Sequence, residues 1–255
     1  MGEGIEDSVI YSFFVAGHAY GNPMNYNLGL YESLIFHQGY LNEYPKMQAG
    51  FFTGDLVPKS EENYWQAAES DLANFIMPIY IAPGNHDKGP CFDKRFPHYF
   101  SMGLNNDLFI VLDPVNCRIS DEQLSFLEES ITDLEEEVNN VFLFCHEVIW
   151  IDSLIGYDHL KPNSMVTYQG TDYWTKIHPL LIGLDKEVYF FAGDVGALTS
   201  VTFYSYEQRD NVHFYAGGMG NGFIDNIFIT EVYSDGYVKV RPMRLNADYL
   251  EELEF

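Results

Sequence analysis

The stretch PIYIAPGNHD, residues 78–87, decides the fold prediction because it joins an apolar run to a compact polar turn. Residues 78–82 are predicted to form a buried strand, which a proline–glycine pair then ends. Asn85, His86 and Asp87 place an amide, an imidazole and a carboxylate directly after that strand. Side chains of these types bind metals and carry protons, so this strand end is a candidate functional site.

Other predicted strands end in a similar way. His18, Asp55, His146 and Asp194 follow the apolar runs at 8–16, 51–53, 141–145 and 187–192. In a mostly parallel sheet the carboxyl ends of the strands meet at one edge, where ligands bind. Asp, Asn and His that converge from different strands are typical ligands of a divalent metal. The sequence therefore predicts a metal site at this edge.

The order of elements predicts an α/β fold. A further strand is expected at 108–112, and helices are expected at 28–43, 61–74, 120–137 and 172–182. From residue 201 onward the pattern is strand and turn, with a hairpin turn at 234–236. The first three quarters thus indicate βαβ units, and the last quarter indicates an antiparallel sheet.

The charge of the chain limits its partners. It contains 13 Lys and Arg against 38 Asp and Glu, so its formal net charge is −25. Such a surface repels nucleic acid and anionic lipid, which argues against a polyanion or membrane partner. A small anionic substrate needs a local positive centre, and a bound metal is the most economical source of one.

Location and redox state follow from two further features. The three cysteines, Cys91, Cys117 and Cys145, are too few and too widely spaced for a disulfide framework or a cysteine zinc site. No segment reaches the roughly 20 apolar residues of a membrane span. We therefore expect a soluble protein in the cytoplasm.

In its motif order the chain resembles the calcineurin-like metallophosphoesterase family. That family carries Asp-x-His, Gly-Asp, Gly-Asn-His-Asp/Glu, a lone His after a strand, and Gly-His-x-His. The middle three of these motifs are matched by Asp55 with its preceding glycine, by residues 84–87 and by His146. The resemblance spans about residues 8–221. It implies a single domain, residues 1–255, built as a sandwich of two mixed β-sheets flanked by helices.

The resemblance also implies the metal ligands. One ion, of Mn, Fe or Zn, would be held by Asp55, Asn85, His146 and Asp194. The ligands of a second ion are damaged. When the first motif is aligned, His18 takes the place of its Asp and Tyr20 that of its His. In the last motif Asp194 replaces the first His and Gly196 the second. The resemblance therefore implies one good metal site and one damaged site, with His18 as a possible ligand of the latter.

The activity implied is metal-dependent hydrolysis of a small phosphomonoester or phosphodiester. A metal-activated water would attack phosphorus, with Asp55 in the catalytic centre and His86 assisting the leaving group. Asp55 or Asp87 would hold the tautomer of His86. A protonated His18 would replace the charge of a missing second metal. The alternative is a catalytically degenerate protein of the same fold that acts as a binding or scaffold module.

Simpler interpretations of these residues stay open. Asn85 and His86 are also common turn residues, as is Asp194 between its glycines. His146 follows a strongly apolar strand and is compatible with a core position. Residues 151–168 lack periodicity and form either a substrate loop or an ordinary surface loop. His98 offers a phosphate contact or belongs to scattered surface charge.

Overall fold

Two six-stranded mixed sheets form the centre of the structure. The computed structural model describes residues 8–24, 28–132, 134, 138–164, 170–245 and 249–255. The strands are β1 (Val9–Ala16), β2 (Met47–Thr53), β3 (Ile79–Ala82), β4 (Phe100–Leu104), β5 (Asp107–Val111), β6 (Asn140–Cys145), β7 (Glu187–Ala192), β8 (Tyr204–Arg209), β9 (Val212–Gly217), β10 (Asn226–Tyr233), β11 (Val238–Leu245) and β12 (Leu250–Glu252). The first sheet has the order β12-β11-β10-β1-β2-β3, and the second has the order β4-β5-β6-β7-β9-β8.

Helices pack on the outer faces of both sheets. They are α1 (Glu32–Phe36), α2 (Gln38–Glu43), α3 (Glu62–Leu72), α4 (Pro90–Asp93), α5 (Asp121–Thr132) and α6 (His178–Leu181). A π-helix, Tyr173–Ile177, leads directly into α6. The apolar sides of α1 and α3 join one outer cluster, and those of α5 and α6 join another. The predicted α/β class, two mixed sheets flanked by helices, is confirmed.

Parallel pairing brings the polar strand ends to one edge. β1, β2 and β3 are mutually parallel, as are β5, β6, β7 and β9. The residues that follow β1, β2, β3, β6 and β7 therefore emerge on the same side of the sandwich.

Aromatic rings fill the space between the sheets. Phe13 of β1 packs edge-on against Phe109 and Phe142 of the facing sheet, with centroids 5.3 and 5.0 Å apart. Phe51 stacks on Phe144 at 4.2 Å and 5°. Most residues of these strands are buried on both faces, so their sequences are mainly apolar and do not alternate. This layer of packed rings fixes how the two sheets are aligned at the edge that carries the site.

Two predicted helices differ from the structure. The helix predicted at 28–43 is two short helices, because the backbone at His37 leaves the helical region at φ −94° and ψ 3°. The helix predicted at 120–137 ends at Thr132, and residues 133 and 135–137 lie outside the described part.

The prediction that the last quarter of the chain forms one antiparallel sheet is wrong, because its strands are divided between the two sheets. β8 and β9 join the second sheet, where β9 runs parallel to β7, while β10 and β11 join the first. The predicted turn at 234–236 is present: Gly236 N–H donates to the carbonyl of Tyr233 at 3.0 Å. Both hairpins have the same local pattern, so only contacts with distant strands decide their sheet.

Among the helices in the described ranges, none is long and apolar enough to cross a bilayer. The assignment of residues 1–255 to a single domain and the cytoplasmic location stay predictions.

Candidate active site

Glycines allow the loops of the site to meet backbone to backbone. A Cβ at Gly193 would lie 2.1 Å from the carbonyl oxygen of Thr53, and one at Gly84 would lie 2.1 Å from Asp55 Oδ1. Neither distance is compatible with a side chain. The loops after β2, β3 and β7 therefore approach closely enough for their functional side chains to touch.

His146 lies at the centre of the candidate metal ligands. Its Nδ1 is 2.8 Å from the carbonyl oxygen of Thr53, which only accepts, so Nδ1 carries a proton and donates it. Its Nε2 lies 3.3 Å from Asp55 Oδ2 and 3.2 Å from Asn85 Oδ1. Asp194 Oδ1 is 3.7 Å from the same nitrogen. The four candidate ligands of the good site are thus brought together, three of them buried and Asn85 exposed.

The charges in this cluster perturb one another strongly. Burial disfavours the imidazolium of His146, but the carboxylates of Asp55 and then Asp194 outweigh burial and raise its pKa to about 10. Burial likewise disfavours the charged form of Asp55, but the charge and hydrogen bond of His146 outweigh it, so the pKa of Asp55 is lowered.

The donor set fits a metal in its chemistry. Nε2 of His146 faces three oxygen acceptors, so the lone pairs of these four atoms repel one another. Either a proton or a metal cation placed between the four atoms relieves that repulsion. Within the described ranges no three His, Cys, Asp or Glu side chains form a ready metal cluster. A metal at this site would therefore need the amide oxygen of Asn85 as a ligand. The site offers suitable donor atoms but not a complete coordination shell.

His18 is buried beside this cluster. Its Nδ1 is 3.1 Å from the carbonyl oxygen of Met219, and its Nε2 is 3.6 Å from Asp55 Oδ2. The buried ring of Tyr20 lies 4.4 Å from its ring. Burial lowers the pKa of His18 to about 4, although Asp55 acts in the opposite direction. This burial acts against the imidazolium that the sequence-based hypothesis requires, and that hypothesis stays a prediction.

The backbone leaves little room for a side chain at Gly196, where the resemblance implies that a ligand of the second metal is missing. This residue has φ +83°, and a Cβ there would lie 2.5 Å from the carbonyl oxygen of Gly218. Any larger residue at this position would therefore be strained in the present conformation of the loop. His18 is left with Asp55 as its acidic neighbour.

Asp87 has a structural role that the sequence did not indicate. Its carboxylate is fully buried and accepts four backbone N–H bonds, two at each oxygen. The donors are Asp55 and Gly84 at Oδ2, and Leu56 and Val57 at Oδ1. Burial and then the charge of Asp55 raise the pKa of Asp87 to about 6, against the N–H donors of Gly84 and Val57. Asp87 thus fixes the loop that carries Asp55.

Neither carboxylate holds the tautomer of His86, contrary to the sequence-based expectation. Its Nδ1 lies 2.9 Å from the carbonyl oxygen of Pro58, so Nδ1–H donates there and the lone pair of Nε2 stays available. The backbone N–H of His86 donates to Asp55 Oδ1 at 3.0 Å. Asp55 therefore positions the backbone of His86, and Pro58 orients its ring.

A cavity of about 100 Å³ opens over these residues. His18, Tyr20, Asn85, His86 and Asp194 line it. Further lining comes from Asn163, Ser164 and Leu198. Of these, Asn163 and Ser164 belong to the loop predicted at 151–168, but no pattern in the sequence singled them out; residues 165–168 lie outside the described part.

His98 is engaged elsewhere. Its Nδ1 is 2.6 Å from Asp113 Oδ2, and Lys88 Nζ is 2.5 Å from Asp113 Oδ1. Asp93 lies 3.0 Å from the other ring nitrogen. These basic groups therefore neutralise a buried carboxylate, and they are absent from the lining of the cavity.

Comparison with curated proteins identifies two relatives. A probable glycerophosphodiester phosphodiesterase of Arcobacter nitrofigilis is 26% identical over 159 residues, which cover 56% of this chain and 55% of that protein. A probable cyclic nucleotide phosphodiesterase of Fibrobacter succinogenes is 27% identical over 103 residues, which cover 37% and 39%. The chain thus spans about half the length of one relative and two fifths of the other. No family model matches the chain.

Solved structures give weaker likenesses. A predicted phosphoesterase of Streptococcus pneumoniae is 12% identical with a TM-score of 0.39, covering 95% of this chain and 97% of that one. Vps29 of Chaetomium thermophilum is 10% identical with a TM-score of 0.44 at the same coverage. At such scores the fold assignment rests on the two sheets themselves. The names of the curated relatives, both phosphodiesterases, agree with the metallophosphoesterase resemblance of the motifs at the sheet edge.

Proposed function

We propose that this chain hydrolyses phosphate esters with one divalent metal, held by Asp55, Asn85, His146 and Asp194. The observation that carries the proposal is the environment of His146 Nε2, which faces three oxygen acceptors within 3.7 Å. The tautomer that Thr53 imposes makes this nitrogen a ligand. Mn, Fe and Zn all suit such a set of donors.

The charge of the site favours a phosphodiester over a phosphomonoester. Asp55 and Asp194 together balance one divalent ion, which leaves the centre neutral. Among the described residues, none that lines the cavity is Lys or Arg. A phosphodiester carries one negative charge, whereas a phosphomonoester at neutral pH carries nearly two, which a neutral centre in an acidic protein compensates poorly. The names of the two curated relatives agree with a diester substrate.

The size of the cavity limits which part of the substrate enters. A volume of about 100 Å³ is well below the roughly 300 Å³ of a pocket that encloses a drug-sized ligand. The phosphoryl group would enter, and its ester substituents would extend past Leu198 at the rim, which is 38% exposed.

His86 would assist the leaving group. A divalent ion at the site would supply Lewis acidity and an activated water. Because Nδ1 of His86 donates to Pro58, a proton bound at Nε2 is the one available for transfer to the departing oxygen. Asp55 holds the backbone of His86, so displacement of the Asp55 loop would also misplace this acid.

The proposal is tested by metal content and hydrolysis on the same preparations. Purified protein is stripped, reconstituted with Mn²⁺, Fe²⁺ or Zn²⁺ and assayed with bis(p-nitrophenyl) phosphate and p-nitrophenyl phosphate. We expect one metal per chain, faster hydrolysis of the diester, and loss of both metal and activity in Asp55→Ala and Asn85→Ala. Asp185→Ala, at an exposed position outside this cavity, serves as the control.

The alternative function, a binding or scaffold module, has a distinct outcome. Protein that folds and binds no metal, or binds metal and hydrolyses neither ester, would contradict the proposed activity. His86→Ala separates the role of the acid: it should slow esters with poor leaving groups much more than those with good ones.

A further inference from the structure

A short strap, residues 161–164, lies along the loop that carries Asp194. Lys161 N–H donates to Thr202 Oγ1 at 2.9 Å, and Thr202 N–H donates to the carbonyl of Lys161 at 2.9 Å. Asn163 N–H donates to the carbonyl of Asp194 at 2.8 Å, and its side chain bonds to Val195 O and Ala197 N–H, both at 2.9 Å. The strap is therefore attached to Asp194 and to the residues that follow it.

The end of the strap bonds to the carboxylate itself. Ser164 N–H donates to Asp194 Oδ1 at 3.2 Å, and the Ser164 hydroxyl donates to Asp194 Oδ2. Asp194 is 1% exposed, and its Oδ1 is the oxygen that lies 3.7 Å from His146 Nε2. Oδ2 thus accepts from the Ser164 hydroxyl, while Oδ1 accepts from the Ser164 N–H and also faces the candidate metal centre.

We propose that Ser164 is a positioning residue that holds Asp194 as a ligand through one oxygen. This inference rests on the proposed function, because it requires a metal at the site. A carboxylate is free to rotate about its last torsion and to bind an ion through either or both oxygens. The Ser164 hydroxyl fixes that torsion and engages Oδ2, so Oδ1 is presented to the metal.

The electrostatics of the site support a role for Ser164 beyond packing. Asp194 is buried within 3.7 Å of His146 and in the same cluster as Asp55, so its negative charge needs donors on the side away from the metal. The hydroxyl of Ser164 supplies one at Oδ2, and its N–H supplies a second donor at Oδ1. Hydrogen bonds to ligating groups typically change metal affinity by about 10- to 100-fold when they are removed.

The test is the affinity for Mn²⁺ alone, measured by titration calorimetry and by the electron paramagnetic resonance signal of free Mn²⁺. Ser164→Ala should weaken binding by about 10- to 100-fold. Ser164→Thr keeps the hydroxyl and should restore most of it. Ser200→Ala, at an exposed position on the neighbouring loop, is the matched control and should bind as the wild type does. Equal affinity in Ser164→Ala and wild type would overturn the inference.

The remaining outcomes are distinguished by whether Ser164→Ala folds and by whether the wild-type protein binds metal and hydrolyses esters. If Ser164→Ala does not fold, Ser164→Cys replaces it, since a thiol is a weak donor and should give intermediate affinity; wild-type affinity there overturns the inference. Wild-type protein that binds Mn²⁺ but hydrolyses no ester refutes the proposed function and leaves this inference intact. Wild-type protein that binds none of Mn²⁺, Fe²⁺ and Zn²⁺ overturns both.

Discussion

Replacing Asp87 by asparagine should destabilise the protein although the two side chains have nearly the same shape. Each carboxylate oxygen of Asp87 accepts two backbone N–H groups, at 2.7 and 2.9 Å on one oxygen and at 2.8 and 3.1 Å on the other. In either orientation, the oxygen of the asparagine amide accepts from two of the four backbone N–H groups. Its NH₂ group then faces the other two buried N–H donors, with which it cannot form a hydrogen bond. No rotamer flip avoids this conflict.

The expected loss follows from those contacts. A hydrogen bond to a charged acceptor contributes about 1.5–3 kcal/mol. Loss of two such bonds, partly offset by removal of the buried charge and by relaxation of the loop, gives a decrease of about 3 kcal/mol in the free energy of unfolding. Asp87→Ala removes all four and should cost more. The loop of Asp55 should shift in both variants, so Mn²⁺ affinity should fall as well.

Urea denaturation at pH 8, where the Asp87 carboxyl is ionised, measures the change. Asp185→Asn, an exposed substitution of the same kind, is the control and should alter stability by less than about 0.5 kcal/mol. An Asp87→Asn protein within 1 kcal/mol of the wild type would refute the reasoning, because it would show that the four N–H groups do not depend on the charge.

Three further predictions concern other parts of the molecule. Gly196→Ala should destabilise the protein by more than about 1 kcal/mol, seen as a lower thermal midpoint, because its Cβ meets a carbonyl at 2.5 Å; an unchanged midpoint would contradict the closed loop. Phe13→Ala should cost about 3–5 kcal/mol in urea denaturation, since the ring is fully buried between the sheets. Burial acts against the charge of His98, but Asp113 and Asp93 raise its pKa, so its stabilising contribution is complete below the unfolded pKa and disappears as pH rises through the folded one. The stability difference between wild type and His98→Gln should therefore be larger at pH 5.5 than at pH 9, and a pH-independent difference would contradict this.

Sequence patterns predicted the elements whose signals are local. The apolar runs before Asp55, Asn85, His146 and Asp194 are strands, and parallel pairing brings these side chains together as expected. Each prediction needed only the residues beside it and the rule that parallel strands share an edge.

Features that depend on distant contacts could not be predicted. Ser164 reaches the site through hydrogen bonds to a loop 30 residues away, within a stretch that has no periodicity. Gly196 excludes a side chain because of Gly218, which no local signal indicates. The lowered pKa of His18 reflects burial by the assembled loops, and burial is a property of the complete fold.

The pairing of β1 with β10 has a consequence for how the protein is made. β1 lies in the middle of the first sheet, between β2 and a strand formed by residues 226–233. During synthesis it leaves the ribosome long before that partner exists. Until then its fully apolar face and one row of backbone donors and acceptors stay open, which is the kind of surface that aggregates or recruits chaperones. A nascent chain that stalls before residue 226 should therefore require chaperone protection.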